Sequence, residues 1–263
     1  MADYNPEIYW DRVGQEVKKR RQKSYSAGDE DPYIRYQGQK FVKNLFYGYD
    51  FQSKTILDIG CGLGNNLRNI VQFKPKKVFG VDISQTMLDI AAQRLAPYKN
   101  IVQLFKIDGE NLPFEDESVD VSFTVTVLQH VTDERMFRNL VREICRVTKT
   151  EIVLFEDIGD SLQLGIHGRD WIGRQISVYK SLFADYGFKM DKPVFLNVKI
   201  SEAWHHFIFH GLYIRFINKR HKEGEPINFI FRLLIGLPLF VTRYLDDIFV
   251  EQRNMAKMVF HRQ

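Results

Sequence analysis

With 263 residues, 44% of them hydrophobic, the chain can bury a full core and suits one α/β domain with an elaboration, not two independent domains. Lys and Arg outnumber Asp and Glu by 37 to 33, a formal charge of +4, so electrostatics offers only mild attraction to polyanions and identifies no partner. The two cysteines, Cys61 and Cys145, and an N-terminus without charged, apolar and cleavage regions in series lead to the expectation of a reducing, cytoplasmic setting.

The first fifty residues read as polar helices, PEIYWDRVGQEVKKRRQK and PYIRYQGQKFVKNLFYGY, separated by the turn-rich SAGDEDP, and are expected to form a helical lid over 1–50. From Lys54 the pattern alternates. Strand KTILDIG, helix NNLRNIVQF, strand KKVFGVDIS, helix SQTMLDIAAQRLA, strand NIVQLFKID, strand VDVSFTVTVL, helix DERMFRNLVREICRV and strand TEIVLFED follow in order. Short β-rich runs alternating with longer helical periods predict βαβ units and a mostly parallel, doubly wound α/β sheet. Thr132, ahead of Asp133 and Glu134, is the expected N-cap of the helix that follows it.

Next come a loop, a helix SVYKSLFADYGF with Gly187 in C-cap position, and a strand KPVFLNVKI. Residues 201–250 are aromatic-rich and helical in period, and NMAKMVFHRQ reads as a last strand. The predicted organisation is therefore a core at 51–200, a helical substrate-recognition insertion at 201–250 and a final core strand within 251–263. The apolar stretch INFIFRLLIGLPLFV at 227–241 carries Arg232 and Pro238 and falls short of the roughly 20 residues that a bilayer span needs.

Gly60, Gly62 and Gly64 follow the first predicted strand and open a helix, so backbone can pass close to a ligand with N–H groups directed at it. A dinucleotide fingerprint is GxGxxG. Here the spacing is GxGxG, and Asp58 beside the turn would repel a pyrophosphate. Asp82 ends the second predicted strand, where a carboxylate can accept two hydrogen bonds from a ribose diol, and Asp108 ends the third, where it could meet an adenine amino group. Three acids at three successive strand ends describe a nucleoside ligand without phosphates.

This set resembles the class I S-adenosylmethionine-dependent methyltransferases. DIGCGLG matches their first motif, Asp82 their ribose-binding acid, and IDGENLPFEDESVDVSFTVTVLQHV their adenine-contact and post-strand-four segments. The resemblance spans roughly residues 54 to 190 and looks most like the small-molecule branch that contains the quinone-pathway and sugar O-methyltransferases. It implies a seven-stranded sheet, S-adenosyl-L-methionine as cofactor and S-adenosyl-L-homocysteine as product. It also implies a cofactor site from Asp58, Gly60, Cys61, Gly62, Asp82, Ile83, Asp108, Gly109, Glu110 and Gln129. DPYIRYQ is similar to lid segments of related enzymes, which makes Tyr33, Arg35 and Tyr36 candidates to close over the methionine end.

In this fold the positions after the fourth strand face the methyl group, and TVLQHVTD there lacks the Asp/Asn-Pro-Pro-aromatic motif of amide and adenine-N6 methylating families. His130 is the candidate general base, since an imidazole titrates close to neutral pH; packing against the cofactor or capping the next helix are its other readings. Glu156 and Asp157, ending the fifth strand, are candidates to orient the imidazole or bind a substrate hydroxyl. Glu202, His206 and His210 fall four apart on one helix face, a spacing that could bind a metal, but without a further strong ligand nearby in sequence no metal is expected; histidines lining an aromatic substrate pocket, and above all plain packing of a helix face, are the preferred readings.

The basic runs at 18–23 and 218–222 read mainly as solvated helix faces. The apolar segment beside the second would suit core of the insertion, a dimer contact, a greasy substrate tunnel or an interfacial membrane helix. The expected activity is O-methylation of a small-molecule, glycan or lipid-linked acceptor, with nucleic acid not an expected partner and peripheral membrane contact open. An RNA or protein methyltransferase and a non-catalytic cofactor-binding regulator are the rival readings.

Overall fold

The computed structural model describes residues 4–19, 31–46, 49–159, 171–217, 228–248 and 255–263. Two helices lead, α1 (Pro6–Lys19) and α2 (Pro32–Phe46). The alternating region follows: β1 (Thr55–Ile59), α3 (Asn65–Ile70), β2 (Lys77–Asp82), α4 (Gln85–Arg94), β3 (Val102–Lys106), β4 (Val119–Val125), α5 (Glu134–Val147) and β5 (Thr148–Asp157). The chain continues through α6 (Ile176–Ala184), β6 (Phe188–Met190), β7 (Val194–Leu196), α7 (Lys199–His206), a π-helical segment Phe207–Ile217, α8 (Phe229–Ile248) and β8 (Met255–Arg262).

The sheet runs β3-β2-β1-β4-β5-β8-β6, with β7 also paired to β8. Neighbours from β3 to β5 are parallel, whereas β8 is antiparallel to β5, β6 and β7. Eight strands therefore occupy seven positions in the sheet. β6 pairs with the far end of β8 and β7 with its start, the two broken by Asp191, Lys192 and Pro193.

Both faces are covered, and strand periodicity sorts side chains between them. Leu57, Ile59, Ile152 and Leu154 face a core completed by Phe137, Leu140 and Ile144 of α5 and Tyr179 and Phe183 of α6. Ile56, Val121, Phe123, Val153 and Phe155 face the other, completed by Leu45 of α2, Leu67 of α3 and Leu88 and Ala91 of α4. Burying each such side chain stabilises by about 1.5–3 kcal/mol. Chain order reverses between β1 and β4, the place where doubly wound sheets open a crevice at their strand ends.

Three local expectations are corrected. Asp133, not Thr132, caps α5: its Oδ1 accepts the Met136 N–H at 2.8 Å. The strand expected over KPVFLNVKI is only β7, because Asn197 Oδ1 accepts the Lys199 N–H at 3.0 Å and turns the chain into α7. The helix after the loop ends at Ala184 with Asp185 as its C-cap, and Gly187 takes its left-handed φ of 79° in the turn beyond.

The region before β8 forms a helical layer. Tyr33 of α2, Ile208 and Tyr213 of the π-helical segment and Ile235 and Leu239 of α8 make its core. Pro238 sits inside α8 and lacks the N–H that Leu234 would otherwise receive; the freed Leu234 carbonyl accepts the Trp204 indole N–H at 3.2 Å. Asp246 Oδ1 accepts the Ile200 and Ser201 N–H groups at the start of α7, and its Oδ2 accepts the Tyr36 hydroxyl of α2. Among the described residues no helix is long and apolar enough to cross a membrane.

Gly60 holds a φ of 71°, and a Cβ there would lie 2.5 Å from Val127 Cγ2. Gly60→Ala is therefore expected to lose about 3 kcal/mol of stability from backbone strain and overpacking together. Urea denaturation with an unchanged midpoint would refute the close approach.

Candidate active site

The glycine turn leaves β1 with left-handed φ at Gly60, Gly62 and Gly64. Gly60 and Gly64 are pressed against Val127 and Leu95, but a Cβ on Gly62 would meet nothing within 4 Å. Gly62 thus borders the open space of the crevice. The Gly60 and Cys61 N–H groups are anchored on the Val81 carbonyl, and the Gly62 N–H donates to Asp82 Oδ2 at 2.8 Å. Asp82 Oδ1 accepts the Ser84 N–H at 2.8 Å, so one carboxylate fixes both turns. Burial raises its pKa, and these backbone donors oppose the rise.

Asp58 is buried at the end of β1, and neither of its oxygens has a hydrogen-bond partner among the described residues. Burial, then the nearby Asp82 charge, pushes its pKa well above the usual carboxylate range. An orphaned buried acid is costly unless a ligand satisfies it. The open face of Gly62, the clamped Asp82 and the orphaned Asp58 fit a nucleoside with a cationic tail: Asp82 has lone pairs left for a ribose diol, and Asp58 can take an ammonium.

The adenine side differs from expectation. Asp108 lies two residues beyond β3 and is exposed; its oxygens are spent on the N–H groups of Glu110 and Asn111 and on the Asn111 side chain, which lowers its pKa. Its carboxylate is committed to its own turn. Gly109, with a φ of 87°, stands against Ile83 Cδ1, so an apolar edge lies there. Glu110 is bound bidentately by Arg135 at 2.8 and 3.0 Å and by Asn139. Both acids thus hold the loop after β3 in shape.

Across the crevice, Glu156 is fully buried and reaches back to the segment after β4. Its Oε1 accepts the Thr124 hydroxyl at 2.7 Å and the Val127 N–H at 3.1 Å, and its Oε2 the Gln129 N–H at 3.3 Å. Burial lifts its pKa to about 7. Glu156 positions that loop. Asp157 is half-buried; Oδ2 accepts the Trp171 indole N–H at 3.0 Å, and Gln129 Oε1 accepts the Asp157 N–H at 3.0 Å. Burial, then the charge of Glu202, pushes the Asp157 pKa up to about 8.

His130 ends the 3-10 turn 128–130, half-buried, its ring 5.1 Å from that of Trp10 in an edge-on contact. The structure brings α1 over the crevice: Asp11 accepts the Ser84 hydroxyl and the Thr86 N–H, and Glu7 pairs with Lys106. Of the three lid candidates in α2, Tyr33 is buried and stacked on His205, with Glu202 and Asp157 among the acids that, after burial, raise its pKa. Tyr36 donates to Asp246, and Arg35 is exposed.

Trp10, Asp11, Trp171 and Arg174 were not singled out from sequence. Arg174 donates to the Leu128 and Val131 carbonyls and lies 3.8 Å over the Phe137 ring, locking the post-β4 loop from the other side. These residues have no motif spacing. Among the described residues no group of three His, Cys, Asp or Glu side chains could hold a metal; the His210 side chain and the basic run 218–222 lie outside them, and of 18–23 only Lys18 and Lys19 are described. A shallow depression of about 430 Å³ near Lys76, Phe79 and Phe114 lies at the opposite end of β1 and β2.

Fold and cleft define a doubly wound domain that presents a nucleoside site at its strand ends. Residues 56–151 match the family model described as a methyltransferase domain. Within that matched stretch the chain carries a methyltransferase domain of the class I S-adenosylmethionine-dependent kind. Phosphoethanolamine N-methyltransferase 2 of Caenorhabditis elegans is 33% identical over 109 residues, 40% of this chain and 25% of that protein. Malonyl-[acyl-carrier protein] O-methyltransferase of Serratia marcescens is 28% identical over 149 residues, 53% of this chain and 55% of that protein. The chain thus spans from a quarter to just over half the length of these two relatives. The structure of magnesium protoporphyrin IX methyltransferase from Synechocystis PCC 6803 with bound S-adenosylhomocysteine superposes with a TM-score of 0.57 at 18% identity, covering 72% of this chain and 90% of that one. That likeness establishes the shared fold.

Two outcomes are expected at the cofactor end. Asp82→Ala should weaken S-adenosylhomocysteine binding at least about tenfold by calorimetry, as both turns lose their clamp. Asp58 has a folded pKa raised above its unfolded value, so its stability contribution is full below the unfolded pKa and is lost as pH rises through the folded one. Cofactor-free Asp58→Asn should therefore lose less stability than wild type between pH 5 and pH 8, read by denaturation at both; parallel losses would deny the orphaned acid.

Proposed function

We propose that this protein transfers a methyl group from S-adenosylmethionine to a hydroxyl of a small-molecule or lipid-linked acceptor. The observation that carries the reading is Asp157, a half-buried carboxylate at the end of β5 whose pKa is pushed up to about 8. A carboxylate so raised is a stronger base than one in water, and its pKa is close to the working pH. The bound cofactor supplies an electrophilic methyl on a sulfonium.

Gly60, Cys61 and Gly62 would border the cofactor with backbone, Asp82 would hold the ribose, and Asp58 the ammonium. Ile83 and Gly109 would flank the adenine, while Asp108 and Glu110 shape that loop. Gln129, hydrogen-bonded to the Asp157 backbone, would set the distance between the post-β4 loop and the base. Asp157 would accept the hydroxyl proton as the acceptor oxygen becomes a nucleophile, with Trp171 fixing the carboxylate's orientation. His130 is the alternative proton acceptor, and its contact with Trp10 couples it to α1. Tyr33, beside Asp157 and Glu202, would wall the acceptor pocket.

A second reading rests on Glu202. Its charge contributes to the raised pKa of Asp157, and two acids near one pocket attract an ammonium. An amine acceptor fits that pair, and the Caenorhabditis elegans relative is by name an N-methyltransferase of phosphoethanolamine.

With Asp157 as base, kcat/KM should rise with pH and level off above about 8, because the protonated form dominates below that value. Asp157→Asn should lower kcat about a hundredfold, leave cofactor affinity unchanged and abolish the break at that pH. A break that survives in Asp157→Asn and disappears in His130→Ala would give the role to His130. Methyl transfer from labelled cofactor to amines but not to alcohols or phenols would favour the second reading.

A further inference from the structure

We propose that the outer face of α8 docks onto an anionic lipid surface. At 100° per residue, Ile230, Leu233, Leu234, Leu237, Phe240, Val241, Tyr244 and Ile248 fall within an arc of roughly 120° along the whole helix. All eight are exposed, Leu237 to 73% and Phe240 to 71%. Monomeric proteins rarely leave so continuous an apolar stripe in water. The opposite face, Ile235, Leu239, Thr242 and Asp246, is buried and polar-locked: Thr242 bonds the Ser201 hydroxyl and Asp246 holds the start of α7. The stripe is thus the outward side of a helix already fixed by its inner side.

Charge selects the occupant. The arc holds no charged residue, and its flank carries Arg232 and Arg243, the latter 5.1 Å over the Phe240 ring. Arg215, over Phe216, adds a cation from the π-helical segment packed beside α8. The acid on the same flank, Asp247, is paired with Lys40 at 2.7 Å. An apolar face edged by arginines and aromatics matches the boundary between acyl chains and anionic head groups. A second copy is a poorer fit, since antiparallel pairing of two such faces sets arginine flank against arginine flank. The helix carries Arg232, Arg243, Asp246 and Asp247, so it lies on a bilayer and does not span it.

Lipid docking by this face requires no turnover. The full chain should co-sediment with phosphatidylcholine vesicles containing phosphatidylglycerol, less with pure phosphatidylcholine, and less as salt is added. The double variant Leu237→Glu/Phe240→Glu should lower the partition coefficient at least about tenfold while leaving cofactor binding and thermal unfolding unchanged, because both side chains are exposed. Arg243→Glu should weaken binding to the anionic vesicles and reduce its salt dependence. Absence of partition, or partition indifferent to both variants, would overturn the proposal. So would a lipid-free dimer, seen by light scattering, that the double variant converts to monomer, which would give the face to a second copy.

Discussion

The buried carboxylate of Glu156 is the constraint on which the site depends. It leaves β5 and spends its oxygens on Thr124, on the Val127 N–H and on the Gln129 N–H, so the chain after β4 has one path available. Gly60 packs against Val127, which ties the cofactor turn to that path. Gln129 then passes the register to Asp157 through its amide oxygen and to Ile172 through its carbonyl. A buried acid of this kind is costly to desolvate, and the donors around it offset the cost only if all are in place. The arrangement gives a single geometry to groups from four separate segments.

The sequence made the parallel core legible because the physics there is local and periodic. Alternation in TILDI, KVFGVD and VDVSFTV places one residue set on each face, and left-handed glycines mark the turn that must approach a ligand. The strand count at the far edge was harder. β6 and β7 gain stability by pairing along β8, which lies more than fifty residues later in the chain, and no local pattern divides them. Asn197 ended its strand early through one side-chain hydrogen bond, a competition that propensity does not resolve.

Site residues divide along the same line. Gly62 and Asp82 are placed by the strand–turn–helix grammar itself and stand at the crevice. Asp108 and Glu110 occupy the expected loop, yet their carboxylates are engaged by Asn111 and by Arg135 with Asn139. Residue type and position could not reveal those partners, one of which comes from a different helix. Glu156 and Asp157 are adjacent and chemically alike, but strand alternation sends one side chain into the interior and leaves the other half-buried against Trp171. Trp10 and Trp171 reach the crevice from segments far apart in sequence and carry no spacing signal.

Asp246 adds a mechanical consequence. One carboxylate joins α8 to the N-terminus of α7 and to Tyr36 of α2, so three helices share a single pin. Swinging any one of them alone would strip a fully buried carboxylate of donors. The inexpensive motion is a rigid displacement of the whole layer, with the bending taken up in connections to the sheet. The attitude of the outer helix and the position of α2 and α7 are then one degree of freedom.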